Sequence, residues 1–92
     1  MIYGNVFLPE SYNRTNFHEM TRRYIQYYES SMKSYYKRKN PSYLSDAKRD
    51  LREIRYYLKQ ALKHEEISES EFDSLMDDID RAEYIYQRRY EP

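Results

Sequence analysis

Two long stretches of the chain contain neither glycine nor proline, and this feature constrains the fold more than any other. The 92 residues include one glycine, Gly4, and three prolines, at positions 9, 41 and 92. Residues 10–40 and 42–91 therefore lack the two residue types that most often interrupt a helix. A chain of this length holds one small domain. The sequence thus favours an all-α domain made of a few long helices.

Apolar side chains recur every three to four residues in three parts of the chain, which is the period of one helix face. This pattern predicts three helices, over residues 16–38, 42–64 and 68–89. Their apolar faces consist, in chain order, of Phe17, Met20, Tyr24, Tyr27, Tyr28, Met32 and Tyr35; of Leu44, Ala47, Leu51, Ile54, Leu58 and Ala61; and of Phe72, Leu75, Ile79, Ala82 and Tyr86. Faces of this kind pack together, so we predict a small three-helix bundle built on an antiparallel hairpin of the second and third helices.

The start of the third predicted helix carries the clearest capping signal. Ser68 and Glu71 have the spacing of a capping box, in which each side chain bonds to the backbone of the other residue. Together with Ile67 and Phe72, this segment resembles the turn between the helices of many short bacterial helical-hairpin modules. Capping chemistry alone produces the same pattern, so the resemblance implies a helical turn.

The first residues of the chain lack the pattern of a helix. Residues 1–12 combine Gly4 and Pro9 with no apolar period, so we predict an N-terminal arm at 1–12 and a single three-helix domain at 13–92. No apolar run in the chain exceeds three residues, which is too short for a membrane span, and we expect a soluble protein without membrane contact. No basic start followed by an apolar stretch is present, so we expect a cytoplasmic location.

A net charge of zero conceals a separation of charge along the chain. Residues 1–64 carry 13 basic and 6 acidic side chains, net +7, whereas residues 65–92 carry 3 basic and 10 acidic ones, net −7. On the second predicted helix, a basic stripe runs beside the apolar face and consists of Lys48, Arg52, Arg55, Lys59 and Lys63. On the third, an acidic stripe consists of Glu69, Asp73, Asp77, Asp80 and Glu83. The two stripes lie on flanks that meet when the helices run antiparallel. We predict a charge zipper that pairs Lys63 with Glu69, Lys59 with Asp73, Arg55 with Asp77, Arg52 with Asp80 and Lys48 with Glu83. A solvent-facing anion site is the alternative for the basic stripe.

The sequence contains none of the catalytic or cofactor motifs that we sought. There is no glycine-rich phosphate loop, no His-Glu-x-x-His pattern and no cysteine nucleophile. The two histidines, His18 and His64, could share a metal with nearby glutamates, but solvated side chains are the interpretation we favour. We therefore expect no enzymatic activity, no cofactor and no metal site.

Tyrosine is the unusual residue type, with 13 copies. It presents a large, rigid, amphipathic surface, and with arginine it is enriched at the hot spots of protein interfaces. Tyr36, Tyr56 and Tyr84 project from faces for which we predict no partner inside the bundle. The alternative is that some of them lie along their own helices and cover apolar surface.

The predicted packing also brings three helix ends together. The end of the first helix, the start of the second and the end of the third then contribute five basic side chains to one pole of the bundle. Cations at helix C-termini complement the helix dipole, which accounts for part of this cluster. The predicted partner-binding residues are Tyr36, Lys37, Arg38, Lys39, Tyr43, Arg88, Arg89 and Tyr90, together with Tyr56 and Tyr84.

These features favour a non-enzymatic interaction protein that binds and blocks or regulates a protein partner through a basic, tyrosine-rich surface. Small helical proteins without motifs are common among phage and mobile-element inhibitors, which is an analogy of size and composition. The alternative is an anion-binding module for nucleic acid or a nucleotide signal, with tyrosines as stacking platforms. The zero net charge counts against nucleic acid. A homo-oligomeric module is a third possibility.

Overall fold

The structure, a computed structural model, describes residues 16–91 and consists of three α-helices. Helix α1 spans Phe17–Arg38, α2 spans Pro41–Lys63 and α3 spans Glu69–Tyr90. Each bound lies within one residue of its prediction, and α1 packs against both α2 and α3. The predicted all-α three-helix bundle is therefore confirmed. The predicted N-terminal arm lies outside the described residues, so the proposed boundary between arm and domain stays a prediction.

Side-chain caps begin all three helices. The cap bonds run from the backbone N–H of Glu19 to Asn16 at 3.0 Å, of Ser42 to Asn40 at 3.0 Å and of Glu71 to Ser68 at 3.1 Å. In return, the Glu71 carboxylate accepts a 3.2 Å bond from the backbone N–H of Ser68, which completes the capping box. Each bond satisfies a backbone donor that the first turn of a helix leaves free, so local sequence fixes where the helices begin.

Both turns between helices place a non-glycine residue in the left-handed region. Lys39 follows α1 with φ 56°, and Glu65 follows α2 with φ 61°. Glycine is the usual residue at such positions because it has no Cβ to clash with the backbone. The backbone N–H of Lys39 donates to the Tyr35 carbonyl at 2.7 Å, so the turn closes directly on the last turn of α1. The chain therefore reverses direction within a few residues between one helix and the next.

The core draws one face from each helix, and α2 contributes its most completely buried part. The five core residues of α2 are each at most 1% exposed: Ala47, Leu51, Ile54, Leu58 and Ala61. From α3 come Leu75, Ile79 and Ala82, and all eight of these residues belong to the predicted faces. Burying a leucine or isoleucine side chain stabilises by roughly 1.5 to 3 kcal/mol, so the five leucines and isoleucines among these residues make a large contribution to stability.

The buried face of α1 is rotated relative to the predicted one. Thr21 is 2% exposed and Ile25 packs against the core, although neither belongs to the predicted face. Tyr27, which was placed inside, is 49% exposed. The reason is that Tyr28 and Met32, 3% and 1% exposed, share a face with Thr21 that lies to one side of Tyr27. The Thr21 hydroxyl is buried without a hydrogen-bond partner among the described residues.

Helices α1 and α3 run parallel. Near their starts, the Nε2 atom of His18 lies 3.5 Å from Oε2 of Glu71. Farther along, the Tyr28 hydroxyl donates to the backbone carbonyl of Glu83 at 3.4 Å. Their C-terminal ends consequently lie together, and α2 starts beside them because two residues connect it to α1. The predicted meeting of three helix ends is therefore found in the structure.

The predicted charge zipper between α2 and α3 is wrong in its pairs. Arg55 binds Asp80 at 2.8 Å and Glu83 at 2.7 Å, and its predicted partner Asp77 pairs with Arg81 on its own helix. Residues four apart on one helix are already neighbours, so Asp77 can pair with Arg81 without reaching across to α2, and this explains why Asp77 does not bind Arg55. Within residues 16–91, no ion pair forms at the other four positions of the basic stripe: Lys48, Arg52, Lys59 and Lys63.

Candidate functional site

Four tyrosines from α1 and α3 form a continuous cluster near the adjoining helix ends. Tyr36 meets Tyr90 edge to face, with ring centroids 5.7 Å apart. Tyr90 stacks on Tyr86 at 6.2 Å, and Tyr86 contacts Tyr28 at 6.2 Å. Aromatic pairs at these separations contribute about 0.5 to 1.5 kcal/mol beyond the area they bury. The tyrosine cluster therefore ties the end of α1 to the end of α3.

Basic side chains lie over the rings of this cluster. The Nζ atom of Lys39 is 4.8 Å from the centroid of Tyr36, and Cζ of Arg89 is 5.5 Å from Tyr86 and 5.9 Å from Tyr90. Cations at these distances are attracted by the ring faces. We use the term basic end for the exposed cations of this region and the tyrosines that they surround: Tyr36, Lys37, Arg38, Lys39, Tyr84, Tyr86, Arg88, Arg89 and Tyr90.

The five cations of the basic end are exposed, and none forms an ion pair within residues 16–91. Elsewhere in the described chain, Arg23, Lys33, Arg49, Arg55 and Arg81 each bind a carboxylate. The basic end shares this lack of an ion pair with Arg22 and with four positions of the basic stripe, but it differs from them because its five cations come from helix ends that lie together. Its charge is not neutralised inside the described part of the molecule and is available to a ligand.

The inner tyrosines of the cluster stay protonated at neutral pH. Burial raises the pKa of Tyr28 to about 12, and the negative charge of Glu83 and Glu91 adds to this effect. Burial also raises the pKa of Tyr86, with the nearby carboxylate of Glu29 acting in the same direction. These hydroxyls are therefore uncharged, and the positive charge of the region belongs to the exposed Lys and Arg side chains.

The structure gathers most of the predicted partner-binding residues but not all of them. Tyr43 is half-buried in the first turn of α2 and takes no part in the described ring or cation contacts. Tyr84 is 62% exposed and lies at the edge of the basic end, where Cζ of Arg88 is 5.2 Å from its ring. Tyr56 lies outside the basic end, against its neighbour Tyr57.

The expectation that Tyr36, Tyr56 and Tyr84 lack partners inside the bundle is wrong for Tyr36. Tyr36 packs on Tyr90 across the two helix ends, whereas the partners of Tyr56 and Tyr84 come from their own helices. Both rings stay exposed, 58% for Tyr56 and 62% for Tyr84, and no described contact shows that they cover apolar surface. Arg88 reaches the ring of Tyr84 because residues four apart share a helix face, so this contact needs no tertiary packing.

Sequence reasoning also missed two features of the tyrosines. Tyr86 was assigned to the apolar face of the third helix and not to the binding residues, yet its ring lies between those of Tyr28 and Tyr90 in the cluster. A second series crosses α1 and α2, and we call it the aromatic ladder. Its ring centroids are 5.8 Å apart for Tyr27 and Tyr24, 6.2 Å for Tyr24 and Tyr57 and 5.8 Å for Tyr57 and Tyr56. The ladder depends on the register between two helices, which periodicity alone does not supply.

In the part of the chain from 16 to 91, no three His, Asp or Glu side chains stand close enough to hold a metal ion. Over the same residues, no helix combines the length and the apolar character required to cross a membrane. Comparison of the chain with protein families, with curated proteins and with solved structures finds no match.

Proposed function

We propose that the basic end binds an acidic surface of a partner protein and thereby blocks or regulates that partner. One observation carries the proposal: five exposed cations without an ion pair in the described chain stand around a packed tyrosine cluster. Charge of this kind steers association with an acidic partner, and tyrosine with arginine supplies the residue types typical of hot spots.

The packing of the basic end supports binding because it orders the surface in advance. Lys39 rests on Tyr36, and Arg89 rests on Tyr86 and Tyr90, so these long side chains are already restricted. Restricting side chains before association lowers the entropy that binding has to remove. A surface whose cationic side chains are restricted in this way binds a partner more tightly than one that carries the same cations on freely rotating side chains.

The ring contacts favour a protein over a nucleic acid. A base stacks on the open face of an aromatic ring. Lys39 lies over the ring of Tyr36 and Arg88 over the ring of Tyr84, so a cation already covers one face of each exposed tyrosine. The net charge of zero also gives the chain no general attraction for a polyanion. Nucleic acid or a nucleotide remains the alternative that the experiment distinguishes.

Other parts of the proposal come from the sequence alone. The lack of enzymatic activity, the cytoplasmic location and the inhibitory role by analogy with phage and mobile-element proteins stay predictions. These predictions agree with a small protein that acts by occupying the surface of another protein.

An NMR titration with two probes of matched charge tests the proposal. Nitrogen-15-labelled protein is titrated with a synthetic peptide of glutamates and phenylalanines, and separately with an oligothymidylate of equal charge. We expect the peptide to shift the amide signals of residues 36–39 and 88–90. Raising salt from ~50 to ~200 mM should weaken an oligonucleotide far more than a peptide that is held partly by tyrosine.

Matched charge reversals provide the control. Arg38→Glu with Arg88→Glu should abolish the peptide-induced shifts, whereas Lys59→Glu with Lys63→Glu makes the same charge change on the basic stripe and should preserve them. Tyr36→Ala should weaken peptide binding by about 1 to 3 kcal/mol. Equal losses in both double variants, or tighter binding of the oligonucleotide, would refute the proposal. In the source cell, the natural partner should co-purify with the wild type and the stripe variant and be lost from the basic-end variant.

A further inference from the structure

The flank of α2 that adjoins the aromatic ladder carries carboxylates. Asp50, Glu53 and Tyr57 recur at spacings of three and four, so they form one row along α2. This row lies on the side of the bundle that faces α1, because the ring of Tyr57 contacts that of Tyr24 at 6.2 Å. Asp50 is half-buried and Glu53 is exposed. We call these carboxylates and the four rings of the ladder the ladder face: Tyr24, Tyr27, Asp50, Glu53, Tyr56 and Tyr57.

The negative charge of the ladder face is not balanced inside the described part of the molecule. Neither Asp50 nor Glu53 forms an ion pair within residues 16–91, and Arg49 pairs with Asp46 instead. Burial raises the pKa of Asp50 against the opposing effect of Arg49, and the charges of Glu53 and Asp46 raise it further. Burial also raises the pKa of Tyr24, and Glu53 and Asp50 add to that rise, so both carboxylates stand near its hydroxyl. A cation from outside therefore finds an unneutralised site here.

The rings of the ladder face hold no cation of their own. Within residues 16–91, every lysine or arginine that lies over a ring does so at the basic end. Three ladder rings are exposed, 49% for Tyr27, 41% for Tyr57 and 58% for Tyr56. The face of an aromatic ring attracts a cation, and the flat guanidinium of arginine also stacks on it. Rings and carboxylates thus favour the same kind of ligand group.

We propose that the ladder face binds an arginine-rich segment of a partner protein. Guanidinium groups of that segment pair with Asp50 and Glu53 and stack on the exposed rings of Tyr27 and Tyr57. A helix rises about 1.5 Å per residue, so the row from Asp50 to Tyr57 is roughly 10 Å long. An extended segment of three or four residues spans that distance, at about 3.3 Å per residue. The bundle then has two binding surfaces of opposite charge.

A second copy of the chain also offers cations, at its own basic end, but it fits the ladder face less well. Lys39, Arg88 and Arg89 already lie over rings of their own chain, so fewer cations are left to stack on another copy. A contact between the basic end of one copy and the ladder face of the next also joins unlike surfaces, and such a contact forms open chains unless its rotation closes a ring. We therefore assign the ladder face to a different protein.

An NMR titration with two basic peptides tests the proposal. Nitrogen-15-labelled protein is titrated with a peptide of alternating arginines and alanines, and separately with the lysine peptide of equal length and charge. We expect the arginine peptide to shift the amide signals of residues 50–57, Tyr24 and Tyr27. It should bind several-fold more tightly than the lysine peptide, because a guanidinium stacks on rings and pairs with a carboxylate through two hydrogen bonds. Equal affinity of the two peptides would contradict the proposal.

Matched neutralisations separate a specific site from general attraction. Asp50→Asn with Glu53→Gln should weaken binding of the arginine peptide by about three- to tenfold. Glu69→Gln with Asp73→Asn removes two carboxylates of α3 that also form no ion pair within residues 16–91, and it should leave the affinity unchanged. Tyr57→Leu should weaken binding, whereas Tyr57→Phe keeps the ring and should preserve it. Equal losses in the two charge variants would overturn the proposal.

A dilution series identifies the occupant. In the absence of peptide, the amide signals of residues 50–57 should not move as the protein concentration rises. Movement that disappears in the variant Arg38→Glu with Arg88→Glu would show that the basic end of a second copy occupies the ladder face, and the assignment to a different protein would then be wrong.

Discussion

The Nη2 atom of Arg55 lies 2.7 Å from Oε1 of Glu83, and this contact joins the middle of α2 to α3. The same nitrogen lies 2.8 Å from a carboxylate oxygen of Asp80. Burial disfavours the charged form of Arg55, but its hydrogen bonds to Glu83 and Asp80 outweigh this and raise the pKa of Arg55. An ion pair that is partly shielded from water contributes more than an exposed pair.

We expect Arg55→Met to lower the free energy of unfolding by about 1 to 2 kcal/mol, because it removes two charge-assisted hydrogen bonds. The matched control Arg52→Met should cost less than about 0.5 kcal/mol, since Arg52 forms no ion pair within residues 16–91. Urea denaturation measures both values. A double-mutant cycle with Glu83→Gln should show a coupling of about 1 kcal/mol at Arg55, and additivity there would mean that the contact contributes nothing.

Stability should fall as the pH rises above about 10, and Tyr28 should account for a defined part of the loss. The pKa of Tyr28 is about 12 in the folded protein and about 10 in the unfolded chain. As the pH rises, the unfolded chain therefore loses this proton before the folded protein does. The contribution of the protonated Tyr28 to the free energy of unfolding is constant below pH ~10 and declines by up to roughly 2 to 3 kcal/mol towards pH ~12. Urea denaturation at several pH values should show a shallower decline for Tyr28→Phe, whereas the exposed control Tyr84→Phe should follow the wild type.

Thr21→Val should raise the free energy of unfolding by about 1 kcal/mol. The substitution keeps the shape of the side chain and replaces a buried hydroxyl that has no hydrogen-bond partner among the described residues. Thr21→Ser keeps the hydroxyl, loses a methyl group and should destabilise. Thermal denaturation compares the two variants. The opposite order would show that the hydroxyl makes a stabilising bond.

Lys39→Gly and Glu65→Gly should each raise stability by a few tenths to about 1 kcal/mol, because glycine accepts the left-handed conformation without a steric cost. The two variants differ in their effect on binding. Lys39 belongs to the basic end, so its loss should weaken binding of the acidic peptide, whereas Glu65→Gly should not. A peptide titration next to a urea curve measures both properties, and equal binding by the two variants would contradict the assignment of Lys39 to the surface.

The helices could be predicted from the sequence because their signals are local. Asn16, Asn40 and Ser68 cap the three helices with their own side chains, and the bonds span two or three residues. The apolar period of α2 and α3 identifies their buried faces for a similar reason, since a side chain three or four residues away always shares its face.

The ion pairs and the α1 face could not be predicted in the same way. The long side chain of an arginine can reach carboxylates at several positions along a neighbouring helix. Arg55 binds Asp80 and Glu83, which lie farther along α3 than its predicted partner Asp77. The face of α1 depends on Thr21, a polar residue that no apolar pattern includes. The partners of Arg55 and the buried face of α1 both depend on how all three helices pack together.

The meeting of the three helix ends was predicted from the sequence, but the ring contacts there were not. The meeting of helix ends follows from helix lengths and short turns, and it identified the five cations of the basic end. The ring contacts follow from the relative rotation of α1 and α3, which placed Tyr36 against Tyr90 and left Tyr43 aside.

The parallel alignment of α1 and α3 makes the basic end a property of the completely folded chain. The Tyr28–Glu83 bond joins residues 55 positions apart, so closing that contact costs chain entropy that only the assembled core repays. A hairpin of two neighbouring helices carries only part of this set, because residues 37–39 lie at the end of α1 and Arg88 and Arg89 lie near the end of α3. A ligand that recognises the assembled surface therefore binds the native state alone, and its concentration should raise the melting temperature of the protein.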